Sequence, residues 1–435
     1  MQKLLLVEDD AALQFTIQTA LEEKGYEVKA VSTTEEAMDR LQDEAYTIVI
    51  SDIYIDEHTG LDVLNAAKRK DPQCSVILMT GRATIETVRA ASRGGAFDYI
   101  AKPFELDTML QAIERAEAAR SGEEEGTKDE ELPETDMIGS SPAMVEIYKT
   151  VDSVAETDAT VIIEGETGTG KELVARLIHK LSRRKDQPFV AVDCGSIASS
   201  LLESELFGAL RGAFTGSDRD RVGVFEAANK GTVLLDEIGE IDMKFQLALL
   251  RFLDSRQIRP VGAPRSKEVD VRVIAATNRN LRRMVDEQKF REDLWYRLHT
   301  VRIVLPPLTE RRGDIPLLVQ FFLNKYNQRY ERKVKLMDSG LRALQDHTWP
   351  GNVRQLQHVI ERLTILAPRV DAEAVEEALA DMGSRERPVE TLADAAEDQI
   401  RKILAAVGGN KSKAAQLLGI ERKTLYRKLE KMKLD

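Results

Sequence analysis

A glycine-rich loop between a predicted strand and a predicted helix constrains the fold of this chain more than any other segment. It follows the apolar run 159–164, precedes apolar residues at helical spacing, and comprises Gly165, Glu166, Thr167, Gly168, Thr169, Gly170, Lys171 and Glu172. Glycines let backbone N–H groups wrap phosphate oxygens, and a helix N-terminus adds positive potential. The segment therefore predicts a parallel α/β domain in which Lys171 reaches the outer phosphates. A plain glycine turn is the alternative, and the agreement of the flanking elements disfavours it.

Two later strands are predicted to carry the other groups of a nucleotide site. One apolar run ends at Asp236 and Glu237, and a second, 271–277, ends at Asn278. We expect Asp236 to hold the Mg²⁺ shell, Glu237 to polarise the attacking water, and the Asn278 amide to sense the γ-phosphate. ATP and Mg²⁺ are therefore the predicted cofactors. An Asp-Glu pair alone is commonly a surface feature, so the preceding strand and glycine loop carry this prediction.

Residues 1–119 alternate short apolar runs with helical patterns. The predicted strands lie at 3–7, 26–31, 46–51, 75–79 and 98–101. The first helix places four apolar side chains on one face, those of Leu13, Ile17, Ala20 and Leu21. Five successive β-α units of this kind predict a doubly wound, flavodoxin-like parallel sheet. The chain as a whole is predicted to be a multidomain α/β protein.

Polar residues follow four of these five strands. Glu8 and Asp9 follow the first, and Asp52, Thr80 and Lys102 close the third, fourth and fifth. Sites in parallel sheets form at the carboxyl ends of the strands. Three carboxylates meeting there repel one another unless a hard cation lies between them, and Mg²⁺ takes oxygen ligands. An aspartate beside Mg²⁺ can attack a phosphoryl group, whose oxygens the lysine and threonine would contact. Solvated strand ends are the alternative, which five residues in register disfavour.

Composition divides the chain into domains. The acidic residues 120–136 contain almost no apolar side chains and predict a solvated linker, and the acidic, alanine-rich stretch 369–395 predicts a second linker with some helix. The predicted domains are 1–119, 137–368 with a helical lid at about 306–368, and 396–435. No signal peptide or membrane-length apolar run is apparent, and the two cysteines are far apart. We therefore expect a cytoplasmic protein without a membrane partner.

The last forty residues are predicted to be all helix and basic. Residues 401–435 carry ten Lys or Arg side chains against three acidic ones, in a chain whose formal net charge is -12. Two predicted helices, 411–418 and 422–432, have helix-turn-helix spacing. Ala414, Ala415, Leu418, Ile420, Leu425 and Leu429 are expected to pack inward. We expect double-stranded DNA to be contacted by Arg422, Lys423, Thr424, Arg427 and Lys428. A solvated basic helix is the alternative.

Residues 1–119 resemble a response-regulator receiver domain. The match rests on Val-Glu-Asp at 7–9, Asp52 followed by Gly60, Met-Thr-Gly at 79–81 and Lys-Pro-Phe at 102–104. The family usually has Met-Pro where this chain has Ile55-Asp56, a departure in a loop that removes no catalytic group.

The receiver resemblance implies a role for each polar residue at the strand ends. Asp52 would accept a phosphoryl group from a sensor histidine kinase, Asp9 and Asp52 would hold Mg²⁺ with the Tyr54 carbonyl, and Glu8 would act through water. Tyr99 matches an aromatic position whose rotamer reports activation.

Residues 137–368 resemble the AAA+ domain of the NtrC-like, sigma-54-dependent activators. That class itself carries glutamate at the Glu172 position. The diagnostic polymerase-contact loop is matched by Gly212, Ala213, Phe214, Thr215, Gly216 and Ser217. The resemblance implies that Arg291 and Arg297 reach a neighbouring subunit's nucleotide and that Arg354, in Trp-Pro-Gly-Asn-Val-Arg at 349–354, is the sensor arginine of the lid. Ordinary surface arginines are the alternative for Arg291 and Arg297.

Several positions depart from the AAA+ pattern. Asp193 stands where the family usually has the asparagine that restrains the catalytic glutamate, so its carboxylate is expected to repel Glu237. Ser217 replaces an alanine at the end of the contact loop, and Ala209 and Leu210 replace polar residues before it. These departures concern the coupling of hydrolysis to the sigma contact rather than the nucleotide site.

The C-terminal segment from Asn410 closely resembles the Fis-like domain that ends these activators. Together the three resemblances imply a two-component response regulator that binds upstream DNA, self-assembles into a dimer and a higher ring, expected to be a hexamer, and uses ATP to activate sigma-54 RNA polymerase. One alternative is a regulator of another polymerase form, or a repressor, with the loop no longer used. A second is a metabolic phosphotransferase, which would leave the helix-turn-helix without a role.

Overall fold

The computed structural model describes residues 3–55, 59–119, 137–212 and 220–383, together with Lys411, Ala415 and Leu425. The N-terminal domain, residues 3–119, contains one parallel sheet with helices on both faces. Its strands are β1 Lys3–Val7, β2 Glu27–Val31, β3 Ile48–Asp52, β4 Ser75–Thr80 and β5 Asp98–Ala101, in the order β2-β1-β3-β4-β5. Its helices are α1 Ala11–Glu23, α2 Thr34–Asp43, α3 Gly60–Lys70, α4 Ile85–Arg93 and α5 Leu106–Ala119.

The predicted doubly wound sheet is confirmed. Every residue of β3 and β4 is buried, as expected for strands covered on both faces by helices. Helix α1 begins after Asp10, whose side chain accepts from the N–H groups of Ala12 and Leu13. Asp10 therefore caps a helix, and the neighbouring Glu8 and Asp9 are left to the strand-end pocket.

The central domain, residues 137–304, contains a second parallel five-stranded sheet in the order β12-β6-β11-β8-β7. Its helices are α6 Pro142–Ala155, α7 Lys171–Lys180, α8 Ser199–Phe207, α9 Val224–Ala227, α10 Met243–Ser255, α11 Leu281–Asp286 and α12 Glu292–Leu298. Its strands are β6 Val161–Glu164, β7 Phe189–Asp193, β8 Thr232–Asp236, β9 Gln257–Ile258, β10 Lys267–Glu268, β11 Arg272–Thr277 and β12 Val301–Val304. The three predicted site strands become β6, β8 and β11 at the middle of this sheet.

The lid, residues 305–383, is helical and follows the central domain. It contains α13 Ile315–Arg329, α14 Asp338–Asp346, α15 Asn352–Leu366 and α16 Ala372–Gly383, with a short parallel pair formed by β13 Lys335–Leu336 and β14 Arg369–Val370. The prediction ended the lid at 368 and began a linker at 369. The structure instead packs α16 against α14 and α15, with Val375 and Ala378 buried in the lid core. Alanine and acid content suggested solvation, but these apolar positions give α16 a buried face.

The N-terminal and central domains share a core. Helix α4 and strand β5 pack against α6, and one apolar cluster includes Ile85, Val88 and Tyr99 together with Tyr148 and Val151. Two ion pairs flank this junction. Arg89 lies 3.0 Å from Asp152, and Lys149 lies 2.6 Å from Asp98. Helix α6 therefore belongs by sequence to the central domain and by packing to both domains.

Three residues of the C-terminal segment are described. Lys411, Ala415 and Leu425 are helical, and Ala415 and Leu425 are buried, which matches the expectation that these two pack inward. The other helix-turn-helix positions, including all five predicted DNA contacts, lie outside the described residues. No helix within the described ranges combines the length and apolar character that crossing a bilayer requires.

Candidate functional site

The strand-end pocket of the N-terminal domain brings together the predicted carboxylates. Oxygen atoms of Glu8, Asp9 and Asp52 all lie within 4.8 Å of one another. Glu8 is 1% exposed and Asp9 is exposed, so the cluster opens on one side. Three carboxylates with an open side match the oxygen ligands that Mg²⁺ prefers. The donor set therefore fits the predicted cation.

Lys102 neutralises much of the charge in this pocket. Its Nζ donates to Glu8 Oε1 and Oε2 at 2.8 and 2.6 Å and to Asp52 Oδ2 at 2.5 Å. Burial lowers the pKa of Lys102, but its hydrogen bonds to Asp52 and Glu8 outweigh burial and leave the pKa raised. Burial raises the pKa of Glu8, although the ammonium group opposes that shift. The lysine is therefore a fixed cation beside the predicted acceptor oxygen.

The remaining receiver positions surround the same oxygens. The Tyr54 N–H donates to Asp52 Oδ1 at 3.1 Å, and Thr80 is fully buried at the end of β4. Tyr99 is 4% exposed, and its hydroxyl lies 2.8 Å from Thr87 Oγ1 on α4. Its burial also raises the pKa of the Tyr99 hydroxyl. In this structure the predicted switch residue faces the junction with α6.

The phosphate loop leaves β6 and enters α7, as predicted. Gly168 and Gly170 have φ of 82° and 110°, which glycine adopts readily. The Lys171 Nζ donates to the Gly165 carbonyl at 3.0 Å and lies 3.8 Å from Glu237 Oε1. The loop thus has the lysine, the backbone geometry and the nearby acid that phosphate binding and hydrolysis require. Glu172 pairs with Arg176 on the helix surface at 2.7 Å.

A cavity of about 360 Å³ lies between this loop, the acids and the lid. Asp236, Glu237, Lys171 and Arg354, the predicted sensor, line it, and its apolar wall is formed by Met137, Ile138, Met144, Leu318, Phe321 and Phe322. The polar and apolar sides suit the phosphates and the base of a nucleotide. Asn278 contacts two of the polar lining residues, since its Nδ2 donates to Thr167 Oγ1 at 3.1 Å and its N–H donates to Glu237 Oε2 at 3.3 Å.

Asp193 stands beside Asp236 at the end of β7, in register with it. Its Oδ1 accepts from the N–H groups of Gly195 and Ser196 at 2.9 and 3.2 Å, so its carboxylate is engaged by its own turn. Burial, with the negative charges of Asp193, Asp236 and Glu237, raises the pKa of the Cys194 thiol to about 12. The charges of all three carboxylates therefore reach the Cys194 thiol. The repulsion between Asp193 and Glu237 stays a prediction.

The two predicted trans arginines lie at opposite ends of α12 and are partly exposed. Arg291 pairs with Asp293 at 2.7 Å, and Arg297 lies 3.3 Å from Asp254. Both pairs are at the surface, where such interactions contribute little to stability. The guanidinium groups can therefore be released to another partner at small cost.

The predicted polymerase-contact loop is described only at its base. Gly212 has φ of 79°, and residues 213–219, which include Ala213, Phe214, Thr215, Gly216 and Ser217, lie outside the described residues. Ala209 bridges Arg221 and Val261 and is 2% exposed. Burial of Ala209 in this base accounts for an apolar residue at that departure from the family.

Sequence reasoning missed the apolar wall of the nucleotide cavity and also one buried arginine. Arg311 is 3% exposed, and its guanidinium donates to the Thr169 carbonyl at 2.9 Å and contacts Met144 Sδ at 3.0 Å. It follows Thr-Glu in a polar stretch, where an arginine is ordinarily exposed. No local pattern distinguishes it, because its partners come from α6 and the glycine loop.

Comparisons with known proteins agree with this geometry. Residues 4–114 match the response regulator receiver domain, 137–304 the Sigma-54 interaction domain, 309–392 the AAA+ ATPase lid domain, and 391–432 the Fis family of bacterial regulatory proteins. The transcriptional regulatory protein ZraR of Salmonella typhimurium is 39% identical over 98% of both chains. The regulatory protein AtoC of Escherichia coli is 38% identical over 100% of this chain and 98% of its own.

A solved structure shares the whole arrangement. Crystal structures of NtrX from Brucella abortus in complex with ADP and with ATP are each 32% identical, cover 99% of both chains, and give TM-scores of 0.55 and 0.54. The receiver, AAA+ and Fis-type regions, in this order and over the full length of these relatives, exclude the metabolic phosphotransferase alternative. The chain belongs to the NtrC-like family of sigma-54-dependent response regulators, phosphorylation-controlled transcription activators that carry an ATPase domain.

Proposed function

We propose that phosphorylation of Asp52 by a cognate sensor histidine kinase switches on an ATP-driven ring that acts on sigma-54 RNA polymerase in the cytoplasm. The observation that carries the proposal is the paired geometry of two phosphoryl sites. Lys102 meets Glu8 and Asp52 in one site, and Lys171 lies between the glycine loop and Glu237 in the other.

In the N-terminal pocket, each residue has a distinct task. Asp52 Oδ2 forms the bond to phosphorus while the bond from phosphorus to the histidine nitrogen of the kinase breaks, and the imidazole leaves with the kinase. Lys102 and the Thr80 hydroxyl then hold the oxygens of the transferred group. Asp9, Asp52 and the Tyr54 carbonyl would hold Mg²⁺, with Glu8 acting through water, and the bound cation would neutralise charge on those oxygens. Loss of the Lys102–Asp52 pair is the first structural consequence, because the Asp52 oxygen becomes part of an acyl phosphate.

In the nucleotide cavity, Gly165–Gly170 wrap the phosphates and Lys171 contacts their outer oxygens. Asp236 holds the Mg²⁺ shell, and Glu237 accepts a proton from the attacking water. Asn278 and Arg354 read the γ-phosphate from two sides. Arg291 and Arg297 serve the nucleotide of a neighbouring subunit, so a dimer must assemble into a ring, which we expect to be a hexamer, before hydrolysis is efficient.

The loop 212–217 is the proposed contact with sigma-54, and residues 396–435 hold the protein on double-stranded DNA upstream of the promoter through Arg422, Lys423, Thr424, Arg427 and Lys428. The basic balance of that segment supports the second role, because cationic side chains release counterions from DNA. Deleting 396–435 should therefore abolish site-specific binding and leave the ATPase.

The deciding experiment measures open-complex formation on a sigma-54 promoter beside ATP hydrolysis. Thr215→Ala should leave hydrolysis within about twofold, because the position is far in sequence from every nucleotide-site motif and surface substitutions change stability by under about 0.5 kcal/mol. The same change should abolish activation, because it alters the proposed contact with sigma-54. Glu237→Gln is the matched control, which should bind ATP and lose both hydrolysis and activation. Activation by wild type only with another polymerase form, or repression, would support the alternative regulator instead.

A further inference from the structure

The lid touches the phosphate loop through one buried side chain. Asn352, the first residue of α15, is 1% exposed, and its Nδ2 donates to Glu166 Oε2 at 3.0 Å and to the Thr167 carbonyl at 3.1 Å. Its Oδ1 accepts from the Leu308 N–H at 2.7 Å. One amide therefore joins the loop tip, the lid helix and the segment that leads from the central sheet into the lid.

The orientation of this amide is dictated by its surroundings. One side faces an N–H donor and the other faces two oxygen acceptors, so Oδ1 and Nδ2 cannot exchange without losing all three bonds. Aspartate at this position would oppose its oxygen to those of Glu166 and Thr167. The backbone of Asn352 has φ of 52°, a conformation that asparagine tolerates better than most residues. Both side chain and backbone therefore select asparagine here.

Backbone contacts reinforce the same junction two residues further on. The Arg354 N–H donates to the Gly168 carbonyl at 3.2 Å. A Cβ on Gly168 would lie 2.3 Å from the Gly351 carbonyl oxygen, so only glycine permits this approach of lid and loop. The sensor arginine is thus carried on a segment whose position relative to the phosphate loop is fixed on both sides.

From these contacts we infer that Asn352 is a positioning residue: it locks the lid onto Glu166 and Thr167 and thereby sets the reach of Arg354 to the γ-phosphate. Thr167 connects the lid with the predicted γ-phosphate sensor, because its carbonyl accepts from Asn352 and its hydroxyl accepts from Asn278. Loss of the Asn352 clamp should therefore weaken discrimination between ATP and ADP more than it weakens nucleotide binding in general. The inference rests on the proposed nucleotide site and deepens it.

The test measures equilibrium binding of fluorescent ATP and ADP analogues to the full chain. Asn352→Asp should weaken the ATP analogue about tenfold, the scale of one hydrogen bond beside a charged group, and the ADP analogue by less than about threefold. Asn352→Gly is the matched variant that removes the amide without strain at positive φ, and it should lower the ATP preference in the same direction. An unchanged ratio of ATP to ADP affinity in both variants would overturn the inference.

Rescue separates positioning from misfolding. In the double variant Asn352→Asp with Glu166→Gln, the new amide can donate to the new carboxylate, so at least half of the lost ATP affinity, on a logarithmic scale, should return. Glu166→Gln alone gives the reference for this comparison. A double variant that binds ATP no better than Asn352→Asp would contradict the clamp.

A double-mutant cycle tests the route through Arg354. Arg354→Ala should weaken ATP binding about tenfold in wild type and less than about twofold in the Asn352→Asp background. Two full, additive losses would show that Asn352 does not act through this arginine. Failure of wild type to bind either analogue would instead overturn the nucleotide site itself, and the inference with it.

Discussion

The two predicted phosphoryl sites of this chain both lie at the carboxyl edge of a parallel sheet, but the lysine of each site has different partners. In the N-terminal pocket Lys102 contacts side-chain carboxylates, those of Glu8 and Asp52. In the central domain Lys171 donates to backbone carbonyls of its own loop, and the nearest carboxylate oxygen, from Glu237, is 3.8 Å away. The first site depends on which side chains are present, because in the proposed mechanism the Asp52 side chain itself is phosphorylated. The second depends more on the path of the backbone, because the protein forms no covalent bond to the nucleotide and is proposed to supply binding contacts and the Glu237 base.

The largest effect is expected from the side chain that reacts. Asp52→Asn should abolish acid-labile phosphorylation by a small-molecule phosphodonor with Mg²⁺, since the amide cannot replace the carboxylate as nucleophile. Intact mass of the N-terminal domain provides the measurement. Nucleotide binding by the same variant is the control and should match wild type. Phosphorylation of Asp52→Asn at the wild-type rate would show that Asp52 is not the phosphoryl acceptor. The contrast between the two sites would then no longer hold.

Lys171→Ala is the reciprocal change in the backbone-built site. It removes the cation that faces the outer phosphates, and we expect nucleotide affinity to fall by about 100-fold or more, the scale of a lost charge-assisted contact in a largely buried site. Isothermal titration gives the affinity, and phosphorylation of Asp52 in the same protein should persist. Retention of tight ATP binding would show that the loop backbone suffices without its lysine.

A third change tests whether the domains that carry the two sites are joined by the ion pair at α6. It alters neither site. Arg89→Ala removes an arginine whose side chain is 7% exposed and takes its charge away from Asp152, which is 15% exposed and keeps a hydrogen bond with Ser92. Burial raises the pKa of Asp152, and the charge of Arg89 opposes that shift. We expect a loss of about 2 kcal/mol, below the range for fully buried pairs because Asp152 keeps some solvent.

Calorimetry should show this loss as an earlier transition of the N-terminal domain. Arg115→Ala is the matched control, because the Arg115 side chain is 64% exposed while paired with Asp98, and its removal should cost less than about 0.5 kcal/mol. Equal effects of the two variants would mean that the buried pair does not join the domains.

The smallest effect concerns the electrostatic field of the nucleotide site. With a pKa raised to about 12, the Cys194 thiol should react only slowly with iodoacetamide near neutral pH, because the thiolate is the nucleophile. Asp193→Asn removes one of the negative charges that raise this pKa, so alkylation should accelerate by a few-fold in protein that remains folded. An unchanged rate would show that burial alone controls the thiol.

Sequence reasoning recovered the parts of the molecule that local patterns encode. Apolar runs predict the strands, and the polar residues at their carboxyl ends can be read from the sequence: Asp52 and Asp236 end β3 and β8, and Asn278 directly follows β11. The contact between Asn352 and Glu166 joins residues 186 positions apart, and no local pattern reports it. The interpretation of 369–395 as a linker with some helix missed the packing of α16 on the lid, because acidic residues and alanines make up most of this helix. Local sequence patterns thus predict the sheets and the polar residues at their edges. Contacts between distant segments, such as that of Asn352 with Glu166, are seen only in the structure.

The shared core at α6 has a consequence for how such a chain can be recombined. The composition places a natural cut within the acidic segment 120–136, which suggests that the first 119 residues could be transplanted as a cassette. Such a cut would leave Ile85 and Val88 facing solvent on one fragment and Tyr148 and Val151 on the other. A chimaeric protein that keeps both apolar surfaces covered must transfer α6 together with the N-terminal domain. Otherwise the α6 of the recipient protein must be redesigned to fit that domain. In this molecule the segment to transfer is the N-terminal domain together with α6, which is longer than the first 119 residues.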